Sequence, residues 1–249
     1  EKSFHGFESH SLRHIINKKF MIKKYITRGS IFYLPYLYFR ILWLEKFFIK
    51  RESYSQCGED KFILNFFKKK KFGSYLDIGA YNPIKFNNTF LLYKKGWSGT
   101  NIDLNKTSID LFNILRPKDV NICAAISDKE IRVKVSIENI FSPLNTISLN
   151  RSKKLNQENI KKNSYFVKTK KINKLIKNNF NFLNIDIEGK DFEVLKSINF
   201  NFFKPELICI EVLEKSKLVK LIKFIKVYNY IYIKNLGPSY FFKLNKKKK

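Results

Sequence analysis

Arginine is scarce in this chain, with 7 against 42 lysines. Arg supplies the planar fork used for specific phosphate and base contacts. Its scarcity makes the formal net charge of +28 a sign of composition and solubility rather than of a dedicated nucleic-acid face. Histidine is as sparse, and His5, His10 and His14 all precede the first strand-like segment. That excludes a His-based triad or a His-rich metal site in the core unless the N-terminal extension folds back, so acidic residues must carry the polar chemistry. Three cysteines, Cys57, Cys123 and Cys209, are an odd number at wide spacing and give neither a disulfide framework nor a zinc site. Cys123 and Cys209 sit in apolar runs and are expected to be buried thiols. Long uninterrupted apolar runs are missing too. Ser30 to Lys50 is rich in aromatic and aliphatic residues, but Pro35, Arg40, Glu45 and Lys46 interrupt it, whereas a crossing helix needs about 20 mostly uncharged residues. The segment reads either as an interfacial helix on a membrane surface or as a helix packed on the domain or a partner.

What is present is an alternation of strand and helix signals in a chain of 249 residues, long enough to bury one substantial core. We expect an extension over 1–52, one α/β domain over 53–245 and a lysine tail over 246–249. Phe62, Ile63, Phe66 and Phe67 recur at helical spacing from Glu59 to Phe67. Strands are expected at Tyr75 to Ile78, Thr100 to Leu104, Val120 to Ile126, Ile131 to Glu138, Phe180 to Ile187 and Leu207 to Val212, with a terminal hairpin around Asn235-Leu236-Gly237-Pro238. Helices are expected from Asn88 to Gly96, Ser108 to Leu115 and Asp191 to Ile198, and again around Leu218 to Ile225. The two runs Phe180 to Ile187 and Leu207 to Val212 have the pattern of parallel strands covered on both faces. Ile131, Val133, Val135 and Ile137 alternate with polar residues, predicting an edge strand with one wet face. The polar stretch 139–163 is the longest candidate loop and the expected place for a substrate. The first residue is Glu1 rather than Met, so a signal peptide cannot be read either way. The default expectation is a cytoplasmic catalytic domain of unknown oligomeric state, with peripheral membrane contact through residues 30–50.

The chemistry concentrates at strand ends. Tyr75-Leu76-Asp77-Ile78-Gly79-Ala80-Tyr81-Asn82-Pro83 is a strand ending in a Gly, and Asp103 closes a second apolar run 26 positions after Asp77. A Gly lets the backbone approach a ligand, and a carboxylate ending the next strand accepts from ribose hydroxyls. The turn has Gly79 alone instead of the three glycines of a pyrophosphate-binding loop. A cofactor lacking phosphates, S-adenosylmethionine rather than NAD, is therefore favoured. Asp186, Glu188 and Glu211 converge on the same sheet edge. They have three open readings: orienting substrate and sulfonium, acting as a base toward a hydroxyl with Asp186 first, or holding a divalent cation. Strand-end carboxylates that merely cap helices are the competing structural reading.

Five blocks in order carry a resemblance: Ser53-Tyr54-Ser55-Gln56-Cys57-Gly58-Glu59-Asp60, the Tyr75 to Pro83 segment, Gly96-Trp97-Ser98-Gly99, Ile102-Asp103-Leu104-Asn105, and Asn184-Ile185-Asp186-Ile187-Glu188-Gly189 with Glu193-Val194-Leu195. Together, over about residues 53–212, they resemble the FkbM family of S-adenosylmethionine-dependent methyltransferases. The resemblance implies a class I methyltransferase fold, a Rossmann-like seven-stranded mostly parallel sheet with a C-terminal antiparallel hairpin. It also implies O-methylation of a hydroxyl on a sugar, glycan or related natural product. By the same resemblance Asp77, Gly79, Ala80 and Tyr81 hold the methionine end, Asp103 and Leu104 the ribose, and Ala125, Ser127 and Asp128 surround adenine. Gln56 and Glu59 approach from the leading helix. A nucleic-acid methyltransferase and a non-catalytic binding module on the same fold are the alternatives.

Overall fold

The computed structural model describes residues 28–45, 51–137, 163–187 and 189–245. The chain divides into two units, Glu1–Lys50 and Arg51–Lys249. In the first, helix α1 (Tyr33–Phe39) continues as a π-helical stretch, Arg40–Glu45. Tyr33, Leu37 and Ile41 are buried along one stripe.

The second unit contains α2 (Glu59–Phe66), β1 (Ser74–Ile78), α3 (Phe90–Lys94), β2 (Ser98–Asp103), α4 (Lys106–Leu115) and β3 (Val120–Cys123). After these come β4 (Arg132–Ile137), β5 (Asn163–Lys168), β6 (Phe182–Ile185), α5 (Asp191–Ser197), β7 (Leu207–Glu211), α6 (Lys215–Lys226), β8 (Tyr230–Leu236) and β9 (Ser239–Leu244). Seven strands form one sheet in the order β3-β2-β1-β6-β7-β9-β8. The five from β3 to β7 are parallel, and β9 and β8 close it antiparallel. This is the Rossmann-like methyltransferase fold.

Successive side chains of a strand face opposite sides. One side of the sheet therefore collects Leu76, Ile78, Ile102, Leu183, Ile185, Ile208 and Ile210 against Val194, Leu195, Leu221 and Ile225 of α5 and α6. The other collects Tyr75, Phe182, Leu207, Cys209 and Phe241 against Ile63, Phe67, Leu92 and Trp97. At about 1.5–3 kcal/mol for each fully buried large apolar side chain, these two layers dominate the stability. Between β1 and β6 the chain order reverses direction across the sheet, and open α/β sheets bind ligands outside the strands' carboxyl ends at such a point.

Several expectations need correction. The strand expected over Ile131 to Glu138 is β4, but it pairs with β5 in a separate two-stranded sheet instead of edging the main one. Alternation reports a wet face and says nothing of the partner. The third strand stops at Cys123, and Ile126 makes only an isolated bridge with Lys170. Cys123 is exposed, while Cys209 is buried as expected. α4 begins two residues early because Asn105 caps it, accepting from the Thr107 N–H at 3.0 Å. The expected substrate stretch 139–163 lies outside the described residues except for Asn163, which opens β5. The tail 246–249 lies outside them as well.

Candidate active site

The turn after β1 is held by a lattice of side-chain amides. Gly79 (φ 83°) and Tyr81 (φ 52°) both lie in the left-handed region, as does Phe86 (φ 49°). For the two non-glycine residues that conformation costs on the order of 1–3 kcal/mol each unless the surroundings enforce it. They do. Asn82 Oδ1 accepts from the Ile84 and Lys85 N–H groups at 2.9 and 2.8 Å, and Asn87 Nδ2 donates to the Asn82 carbonyl at 2.9 Å. A Cβ on Gly79 would lie 1.7 Å from the Asp186 carbonyl oxygen, so the tips of β1 and β6 touch at a place only glycine allows.

Asp77 lies on the α3 side of the sheet, buried. Its carboxylate accepts from Asn184 Nδ2 at 2.8 Å and Thr89 Oγ1 at 2.9 Å. Burial pushes its pKa up from the usual carboxylate value, and these two donors offset part of that rise. Asn88 Nδ2 donates to Asn184 Oδ1 at 3.0 Å, tying the loop to β6 as well. Asp103, ending β2, faces the turn. Its Oδ2 accepts from the Tyr81 N–H at 2.8 Å and its Oδ1 from the Asn105 N–H at 2.6 Å. Burial raises its pKa to about 6, against those two stabilising backbone donors. Each carboxylate oxygen has a second acceptor direction, which ribose hydroxyls can use. Leu104 follows in the β2–α4 turn. Ala124 N–H donates to the Asp103 carbonyl at 2.9 Å, which ties the segment leading to Ala125 to the end of β2. Ser127 Oγ donates to Asp128 Oδ1 at 2.9 Å.

The leading segment is ordered by its own carboxylates. Asp60 accepts from Ser53, Ser55 and the Tyr54 N–H at 2.6–2.7 Å, and Glu59 accepts from the Cys57 N–H at 2.7 Å and Ser239 at 3.2 Å. Glu59 is thereby buried, while Gln56 is exposed. On the other flank, Asp186 directly follows β6 and Glu211 ends β7, and their carboxylate oxygens lie with one from Asp191 within 4.8 Å of one another. Such a group can take a proton from a substrate hydroxyl or supply oxygen ligands to a divalent cation. Asp191 also accepts from the Ile187 and Gly189 N–H groups at 2.8 and 2.9 Å. Glu188 lies outside the described residues. A cleft of about 380 Å³, counting its open mouth, runs from this cluster between α5 and α6, with Phe192, Val212, Leu213 and Lys217 among its walls.

Sequence reasoning missed Arg116. It is fully buried, and donates to the Pro83 carbonyl, to Asn87 Oδ1 at 2.7 Å and to Thr89 Oγ1 at 2.8 Å. Asp119 lies 4.0 Å away and accepts from Tyr75 Oη at 2.5 Å, Gly99 N–H at 2.8 Å and Asn101 Nδ2 at 2.9 Å. One guanidinium thus fixes the far side of the turn that Asp103 fixes on the near side. The available signals were an arginine in a chain that otherwise uses lysine, and Asn184 within an apolar strand.

Residues 77–232 match the family described as the Methyltransferase FkbM domain, which spans more than half of the chain. The chain belongs to the FkbM methyltransferase family. The FkbM match takes in Asp77, Asp103, Arg116, Asp186 and Glu211. Among solved structures, the methyltransferase FkbM from Methylobacillus flagellatus KT is similar, with a TM-score of 0.45, 14% identity, and coverage of 70% of this chain and 44% of that one. The chain therefore corresponds to less than half the length of that protein. No curated protein matches it.

Proposed function

We propose that the FkbM domain is an S-adenosylmethionine-dependent O-methyltransferase acting on a hydroxyl of a sugar, glycan or related natural product. The observation that carries this reading is the contact of the Gly79 turn with Asp186. It brings the β1 tip, whose turn is hydrogen-bonded to Asp103, against the chain at the end of β6 that carries Asp186, and this supports a cofactor site beside a cluster of carboxylates. The donor set fits the cofactor. Asp103 takes the ribose hydroxyls, the Ala80-Tyr81 turn and the Asp77–Asn184 pair shape the methionine end, and Ala125, Ser127 and Asp128 border the base. When bound, S-adenosylmethionine supplies a methyl group on a sulfonium, an electrophile that is already activated.

The protein's part is then positioning and one proton transfer. Holding the acceptor oxygen in line contributes on the order of 7–11 kcal/mol as effective molarity. A sugar hydroxyl is a weak nucleophile at neutral pH, and Asp186 is the carboxylate assigned to take its proton as the C–O bond forms. Glu211 and Asp191 flank it, and the acceptor enters along the cleft between α5 and α6.

Calorimetry with S-adenosylmethionine tests the cofactor half. Wild-type protein should bind, and Asp103→Ala should lose about 1.5–3 kcal/mol, roughly ten- to a hundredfold, because a charge-assisted bond is removed. Unchanged affinity in the variant would remove Asp103 from the site. For the chemical half, Asp186→Asn should retain cofactor affinity and lose roughly 10²–10⁴-fold in turnover on a panel of glycans. Turnover that collapses on exhaustive chelation would instead assign the Asp186–Asp191–Glu211 group to a divalent cation.

A further inference from the structure

The helix of the first unit is inverted relative to a helix that meets water. Tyr33, Leu37 and Ile41 fill its buried stripe, so the opposite face should be polar. That face instead presents Ile31, Phe32, Leu34, Tyr38, Phe39, Leu42 and Trp43, all exposed, with Ile31 83% and Trp43 59% accessible. No acidic or lysine side chain lies between Ile31 and Trp43, and the one cation in the stretch, Arg40, is only partly exposed. A continuous apolar face of this kind marks an interaction surface.

The composition of this face and the charge around it select its partner. No described helix is long and apolar enough to cross a membrane. The exposed set mixes Trp and Tyr, whose rings have a polar edge, with Leu, Ile and Phe. That is the composition of a helix lying at the boundary between headgroups and acyl chains. The flanks in sequence carry Arg28, Lys46, Lys50 and Arg51 against Glu45 and Glu52, a net positive balance, and the whole chain carries +28. Juxtaposed lysine and arginine add attraction to anionic headgroups. A protein partner would have to satisfy the same apolar face while tolerating that charge.

We infer that residues 31–43 are an in-plane anchor that docks the protein on an anionic lipid surface, with the exposed aromatic face among the headgroups and acyl ends. This stands apart from the methyl-transfer reading and does not depend on it. It places the enzyme where a lipid-linked or surface-borne acceptor is met in two dimensions.

The chain offers its own reporter. It has two tryptophans, and Trp97 is 1% accessible in the core, so a change in emission on adding vesicles comes from Trp43. The full chain should sediment with vesicles of phosphatidylcholine containing about a third phosphatidylglycerol, with a blue shift in emission, and at least tenfold less with phosphatidylcholine alone. Trp43→Phe should abolish the shift while leaving sedimentation largely intact. Leu34→Glu with Phe39→Glu, both at exposed positions, should lower partitioning at least tenfold without changing far-ultraviolet circular dichroism or S-adenosylmethionine affinity. Three results would overturn the proposal. One is no association with anionic vesicles, and another is association that the double variant leaves intact, which would be charge alone. The third is concentration-dependent self-association, seen by ultracentrifugation without lipid and abolished by the double variant, which would make the face a contact between copies.

Discussion

Asp103 shows how one side chain links the fold to its chemistry through a proton. Its folded pKa of about 6 lies above the ordinary 3.8 because burial penalises the charged form. Between those two values the native protein holds a proton that the unfolded chain has released. Its contribution to stability therefore falls as pH rises from about 3.8 to 6 and is level above that. On the proposed cofactor reading, binding runs the other way, because ribose hydroxyls would donate to the ionised carboxylate. Below pH 6 the proton must first leave, so S-adenosylmethionine affinity should weaken by up to tenfold per pH unit. It should reach a plateau above about pH 7. Calorimetry from pH 5 to 8 measures this, and Asp103→Asn should flatten the profile as well as lowering it. A profile with its midpoint well away from 6 in the wild type, or unchanged in the variant, would assign the dependence to another group.

At the level of elements, the turn between β1 and α3 is where reading from sequence reached its limit. Asp77, Gly79 and Asp103 were legible because a strand tip, a lone glycine and a second strand tip recur at fixed spacing. The strain at Tyr81 and Phe86 was not, since a left-handed Tyr or Phe has no sequence signal; only the tertiary lattice imposes it. Arg116 belongs to that lattice from 27 residues away, bonding Thr89 across the fold from the C-terminal end of α4. It sits just before Pro117, so local reading makes it a helix stop and nothing more. Replacing it with Met leaves Asp119 buried without its cation and the Pro83 carbonyl without its donor. We expect a loss of about 3–5 kcal/mol in urea unfolding. Amide exchange at Ile84, Lys85 and Thr89 should accelerate at the same time. Arg116→Lys keeps the charge but lacks the planar fork that reaches Pro83, Asn87 and Thr89 together, so it should fall between the two. Exchange at those amides unaffected by either change would show that Asn82 and Asn87 hold the turn alone.

Across the whole molecule, the alternation of apolar runs and helical patterns was sufficient for an α/β class, whereas strand order was not, because period reports faces and not neighbours. The separate β4–β5 sheet is the clearest case: an alternating strand found a partner in a stretch where no strand was expected. Net charge is the other whole-molecule property, and it separates the sugar reading from the nucleic-acid one. A protein at +28 gains affinity for any polyanion by releasing counterions, independent of sequence. The binding this produces should be sequence-blind in an electrophoretic shift and should fall by on the order of 10³-fold or more between about 50 and 200 mM salt. Methyl transfer to a glycan should change far less over that range, since the cleft is lined mainly by apolar residues and the carboxylates Asp191, Glu211 and Glu214, with Lys217 its one lysine. DNA or RNA that retains affinity at 200 mM salt and accepts methyl groups would reverse the assignment. It would also require the surface lysines to form a defined track, a role for which their flexible point charges are less suited than the planar guanidinium that this chain spends on holding its own turn.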